Sequence, residues 1–134
     1  MPALTATPLY IGLCGVILIV LSIRIIGLRR RHRVGLGDGG RDDLARAVRV
    51  HANFIEYVPL ALLAIAAVEL AGFPVWLAHA LGVALVAGRL LHAQGLTQSI
   101  GISFGRTAGM LLTFGVLLAA SALCIAAAFG LRPG

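Results

Sequence analysis

The chain has 134 residues, of which 60% are hydrophobic and 12% charged, and its mean hydropathy is +1.00. So few charges cannot coat the outside of a water-soluble bundle of this size, which excludes that class. The net charge of +6 would suggest nucleic acid in a soluble protein, but every basic side chain except histidine is arginine and most cluster in one loop and its flanks, so no nucleic-acid partner is expected.

Four apolar blocks organise the sequence. Residues 1–23 carry no charged side chain, and further blocks cover residues 50–71, 74–96 and 107–131. Each approaches or exceeds the roughly 20 residues that an α-helix needs to cross about 30 Å of hydrocarbon. The expected fold class is an all-α membrane protein: a single four-transmembrane-helix bundle over residues 1–134. The first block has no basic flank before it and no small-residue cleavage pattern, so it is expected to be a retained helix and not a signal peptide.

The first helix is expected over residues 7–31. Arg24 lies about a turn and a half inside its basic end, where a long side chain either snorkels to the interface or turns inward. The arginine-rich loop over residues 29–41 belongs in the cytoplasm by the positive-inside rule, which places both termini on the other side. Within it, GLGDGG at residues 35–40 is expected to be a flexible turn. It resembles a phosphate-cradling loop only superficially, since no strand precedes it. Asp42 or Asp43 is expected to cap the second helix, favoured by the positive end of the helix dipole.

The second helix, residues 43–71, opens with RAVRVHANFIEYVP at 46–59. At 100° per residue Arg46, Arg49, Asn53, Glu56 and Tyr57 fall at about 0°, 300°, 340°, 280° and 20°. They share one face roughly 100° wide, and charge in hydrocarbon costs at least about 2.5–3.5 kcal/mol per residue. That face must meet other helices, water or a polar ligand. Pro59 removes a backbone hydrogen bond to the Ile55 carbonyl and should bend the helix, opening space beside Asn53 and Glu56. Glu69, near the outer end, is expected to be solvated.

The third helix, residues 74–96, ends in GRLLHAQGL with Arg89 and His92 on one face, and the fourth begins near Ser103 with Arg106 in its first turn. A cation at a helix amino terminus opposes the dipole, so Arg106 is not there to stabilise the helix. Ala78, Gly82, Gly88, Gly105, Gly109 and Gly115 suit close helix packing. Cys14 and Cys124 are expected to pack as small hydrophobes, and no Cys/His pairing has metal-site spacing, so no metal is expected.

Arg24, Arg46, Arg49, Asn53, Glu56, Tyr57, Arg89, His92 and Arg106 all fall at the arginine-rich ends of their helices. The arginines alone could label the membrane boundary and bind lipid phosphates. Asn53 and Glu56 do not fit that account. A carboxylate about two turns into a span needs a partner, and Arg49, Arg89 or a ligand amine are available. These residues form either a polar ligand site or a structural ion-pair network.

They also carry a resemblance to the membrane-associated proteins in eicosanoid and glutathione metabolism (MAPEG). The match is strongest from Arg46 to Pro59, with R-x-x-x-N-x-x-E at Arg49, Asn53 and Glu56 followed by an aromatic and a proline. It continues at Arg89-Leu-Leu-His92 and Arg106. GDGG followed by HANFIEYVPLALL resembles the bacterial branch, which implies a bacterial inner membrane. The resemblance implies a homotrimer with glutathione, as co-substrate, bound between subunits near the cytoplasmic face. Arg24, Arg46, Arg49, Asn53, Glu56, Tyr57, Arg89 and His92 would hold the tripeptide, and Arg106 would be catalytic, stabilising its thiolate. His51 stands where some branches have glutamine, about 160° from the Asn53–Glu56 face.

The resemblance implies a glutathione transferase or peroxidase acting on hydrophobic electrophiles dissolved in membrane lipids. The alternative is a non-catalytic lipid-binding or scaffold subunit of the same fold. A small transporter is disfavoured, as no internal repeat or broken helix pair occurs.

Overall fold

The computed structural model describes residues 3–98 and 101–132. Each apolar block becomes one helix: α1 (Thr7–His32), α2 (Asp42–Leu70), α3 (Val75–Gln98) and α4 (Phe104–Ala128). All four are long and apolar enough to cross a membrane, and no strand occurs among the described residues, so the chain is an all-α four-helix membrane bundle. Short connections make successive helices antiparallel. The end of α1, the start of α2, the end of α3 and the start of α4 therefore gather at one arginine-rich end. Among the described residues α2 and α3 each pack against all three other helices, whereas α1 and α4 lie apart.

The core stripe of α2 is Val50, Phe54, Val58, Ala61, Ile65 and Val68, all buried. Their spacings of four, four, three, four and three keep one helix face turned inward. Lipid tails are as apolar as these side chains, so their burial gives little driving force in a membrane. Close packing and interhelical hydrogen bonds have to hold the helices together.

Both are present. The α3–α4 seam runs through Gly88, Gly95, Gly105 and Gly109, and a Cβ at Gly109 would stand 2.5 Å from the Gly88 carbonyl oxygen and 2.6 Å from the His92 nitrogen. Gly82 admits the ring of Tyr10 between α1 and α3, but nothing lies within 4 Å of a Cβ at Gly115. Gly115 therefore plays no part in packing within the subunit. Gly109→Ala is expected to force the α3–α4 seam apart, at about 1–3 kcal/mol for an overpacked core position. A thermal melt in detergent measures this, and a wild-type midpoint would refute it.

Polar clips join the helices at both ends. At the arginine-rich end His32 Nε2 lies 2.8 Å from Asp43 Oδ2, and Arg24 donates to Thr97 Oγ1 at 2.9 Å. At the opposite end Tyr10 Oη lies 2.9 Å from His79 Nδ1. Midway, His51 Nε2 lies 3.1 Å from Ser22 Oγ. His51 thus faces α1, away from Asn53 and Glu56.

Glu69 is a correction to the sequence expectation. It is not solvated: it is only 7% exposed and reaches across to the start of α1. Its Oε1 accepts from the Thr5 nitrogen at 2.6 Å, the Thr5 hydroxyl at 2.8 Å and the Ala6 nitrogen at 2.7 Å. Its Oε2 accepts from the Thr7 nitrogen at 2.9 Å and the Thr7 hydroxyl at 2.6 Å. The N-cap of α1 is Ala6, which has no side-chain oxygen to offer. The α2 carboxylate does that work from outside the helix, with the dipole in its favour.

The cap of α2 also differs. Its N-cap is Arg41 with no side-chain cap bond, while Asp42 and Asp43 sit inside the first turn. Both still lie where the dipole favours acid, but Asp43 spends its oxygens on the Leu44 nitrogen and on His32. The GLGDGG turn is pinned, since Gly40 N–H donates to Asp38 Oδ1 at 2.9 Å and Arg29 Nη1 to the Gly37 carbonyl at 2.8 Å. Both cysteines are free thiols. Finally, α2 runs unbroken through Pro59. The hollow beside that proline, 210 Å³, lies between α1 and α2 and is lined by Ile11, Cys14, Leu18, Phe54 and other apolar residues. It does not open beside Asn53 and Glu56 as expected.

Candidate functional site

The polar face of α2 is divided by the bundle. Asn53 lies at the edge of the buried stripe and turns inward, while Arg49 and Glu56 lie farther round the helix and remain on the outer surface. This split follows from where the face sits on the helix. On the same wheel the buried stripe runs from about 40° to 120°, so Asn53 at about 340° stands nearer to it than Arg49 and Glu56 at about 300° and 280°.

Inside, Arg89 is the centre. It is 1% exposed and sits in α3 facing α2 and α4. Its Nη2 donates to Asn53 Oδ1 at 2.7 Å and to His92 Nδ1 at 3.2 Å. Its Nη1 donates to Thr113 Oγ1 at 3.4 Å and lies 4.0 Å from Met110 Sδ. The guanidinium carbon stands 5.9 Å from the centre of the Phe54 ring. Arginine only donates, so Nδ1 of the buried His92 accepts and its proton belongs on Nε2. Nε of Arg89 is buried with no hydrogen-bond partner among the described residues.

No carboxylate joins this group. Among the described residues the acid–base pairs are His32–Asp43 and Arg49–Glu56, so Arg89 is held by neutral partners alone. Removing a cation from water costs several kcal/mol, which neutral hydrogen bonds and a ring face offset only in part.

Outside, Arg49 Nη1 and Nη2 donate to Glu56 Oε1 and Oε2, both at 3.2 Å. The side chains are 54% and 45% exposed. Of the partners open to Glu56, the subunit supplies Arg49. Arg49 lies about two turns and Glu56 about four turns into α2, where charge facing lipid is costly. Tyr57 is half-buried and meets Phe114 of α4 edge to face, with centroids 5.4 Å apart.

Arg46, Arg49 and Arg106 line one hollow of 320 Å³ with Asp42, Ala45 and Leu96. Ser103 caps α4, accepting from the Arg106 nitrogen at 3.3 Å, and so fixes where Arg106 leaves the helix. A second hollow, 380 Å³, is lined by Arg106 with Ile102, Thr107, Met110, Leu111 and Phe114. Arg106 thus borders a basic hollow and an apolar one. Of the nine residues expected at the site, Arg24 stands apart, exposed and tied to Thr97.

Thr113 was not expected. Fully buried, it accepts from Arg89 while donating to the Gly109 carbonyl at 2.8 Å. The available signal was weak: one of three hydroxyls in an otherwise apolar block, two turns beyond Arg106.

The "MAPEG family" model matches residues 7–126. The chain is 36% identical to the "Inner membrane protein YecN" of Escherichia coli strain K12 over 110 residues, covering 82% of each chain. The same figures hold for the protein of that name in Escherichia coli O6:H1. With four membrane helices, the Arg49–Asn53–Glu56 face and a family match along most of its length, the chain belongs to the MAPEG family.

Proposed function

We propose that this protein is an integral inner-membrane glutathione transferase or peroxidase acting on hydrophobic electrophiles. The observation that carries this is the double position of Arg106, between a hollow rich in arginine and a hollow rich in apolar side chains. A soluble thiol and a membrane-dissolved electrophile have to meet at one atom, and Arg106 borders the spaces suited to each. Glutathione carries two carboxylates and an α-amine. Arginine forks on Arg46, Arg49 and Arg89 suit the carboxylates, and Glu56 suits the amine. Asn53 and His92 position Arg89 from inside the bundle, and Tyr57 rests on Phe114 beside Arg106.

The outer Arg49–Glu56 pair supports a homotrimer in which a neighbouring subunit covers the site, with glutathione between subunits. Arg24, remote from the cluster within its own subunit, would serve the neighbour's site. On this reading the arginine-rich end faces the cytoplasm, where glutathione is abundant, and both termini face the other side.

Calorimetry and thermal melting of detergent-purified protein with glutathione test the proposal. At about 100 times its dissociation constant a ligand adds roughly 2.7 kcal/mol to the bound state. No heat and no shift at millimolar glutathione would favour a scaffold subunit, in which Arg49 and Glu56 simply neutralise each other. Arg49→Ala and Glu56→Ala should each weaken binding by about 2–5 kcal/mol, the cost of stripping one partner from a charge pair that the neighbouring subunit and ligand cover. Arg30→Ala, in the exposed end of α1, should leave affinity unchanged. Equal losses in all three would assign the cluster to stability alone.

A further inference from the structure

The outward face of α1 has no role in anything described so far. At 100° per residue Val16, Ile19, Ile23, Ile26 and Arg30 fall at about 60°, 0°, 40°, 340° and 20°. The four aliphatic residues are 50–65% exposed, and Arg30 is exposed as well. One stripe therefore runs apolar along the helix and ends in a guanidinium. The rise from Val16 to Arg30 is about 21 Å at 1.5 Å per residue, about two-thirds of the roughly 30 Å hydrocarbon thickness. The stripe is more than one leaflet deep.

The chain after α1 folds back and fixes the charges above this stripe. Arg33 adopts the left-handed region at φ 56°, and Val34 N–H returns to the Arg29 carbonyl at 3.0 Å. Gly39, at φ 57°, packs on Val34 where a Cβ would stand 2.5 Å from its Cγ2. Arg29 is tied to Gly37, and Asp43 to His32. No hydrogen bond or ion pair engages the side chains of Arg30, Arg31 or Arg33 among the described residues, and the carboxylate in electrostatic reach of Arg31 is Asp43, already bonded to His32. Leu36, 92% exposed, projects from the same basic loop, as suits the level where headgroups meet acyl chains.

The helix dipole accounts for cations in the last turn of α1. It does not account for the register that stands one of them over an exposed apolar stripe long enough for an acyl chain. We propose that this face is a binding site for an anionic phospholipid. Its phosphate sits among Arg30, Arg31 and Arg33, and an acyl chain lies along Ile19, Ile23 and Ile26. Guanidinium forks match phosphate oxygens, and juxtamembrane arginine clusters draw anionic headgroups. A free phosphate would leave the stripe unused. A second copy docked face to face would oppose arginine to arginine.

Lipid quenching of tryptophan reads the site directly. Trp76 is the sole tryptophan and sits, exposed, at the opposite end of the bundle. An Ile26→Trp, Trp76→Phe variant places a reporter beside Arg30. In phosphatidylcholine vesicles, dibrominated phosphatidylglycerol should quench that reporter several-fold more strongly than dibrominated phosphatidylcholine at equal mole fraction. Trp76 of the native sequence should show no such preference. Adding Arg30→Gln, Arg31→Gln and Arg33→Gln should remove the preference, and 1 M salt should weaken it, which covers the case of a triple variant that does not insert. Equal quenching by the two lipids would overturn the proposal. So would no quenching by either, which would mean that a second copy covers the face. Loss of the preference on adding millimolar glycerol phosphate would reassign the arginines to a free phosphate.

Discussion

Arg106→Ala is expected to abolish conjugation of a chlorodinitrobenzene and the ultraviolet thiolate signal of bound glutathione, while glutathione affinity stays within several-fold of wild type. A free thiol titrates near about 8.5, so little thiolate exists at neutral pH without a cation against the sulfur. Arg106 borders both hollows, whereas Arg46, Arg49 and Arg89 supply the rest of the positive charge. A group acting on the developing thiolate changes turnover more than ground-state binding. Stopped-flow absorbance and calorimetry on the same preparation separate the two quantities. Wild-type thiolate and turnover in the variant would move the catalytic role to Arg89 or His92.

Glu69→Ala is expected to cost the largest share of stability of any single change at the end opposite the arginines, about 1–3 kcal/mol for each buried donor left unpaired. Two carboxylate oxygens there accept five hydrogen bonds from Thr5, Ala6 and Thr7. Their loss leaves backbone donors of the first turn of α1 unsatisfied at a protein-covered site. Thermal unfolding in detergent, followed by circular dichroism, should show the early release of α1. Glu69→Gln, which keeps one acceptor oxygen, should lose less. A change below about 1 kcal/mol for alanine would mean that water replaces the carboxylate without penalty. Glutathione binding at the other end should survive in whatever fraction remains folded, which separates this effect from that of Arg106.

Helix number, helix length and the polar α2 face were legible in the sequence because each depends on local pattern. Hydrocarbon thickness sets how many apolar residues a span needs, and helical periodicity sets which residues share a side. The family resemblance rested on the same local strings, and the match over residues 7–126 agrees with it. Which members of that face turn inward depends on where neighbouring helices stand, and periodicity within one helix does not contain that information. Only the tertiary structure put Asn53 against Arg89 and left Arg49 paired with Glu56 outside. It likewise carried Glu69 to a partner more than sixty residues earlier in the chain and brought Thr113 beneath Arg89. The physical reason is common to these cases. In a membrane, apolar burial gives little force between helices, so a few polar side chains choose the contacts. Those choices are made between segments distant in sequence.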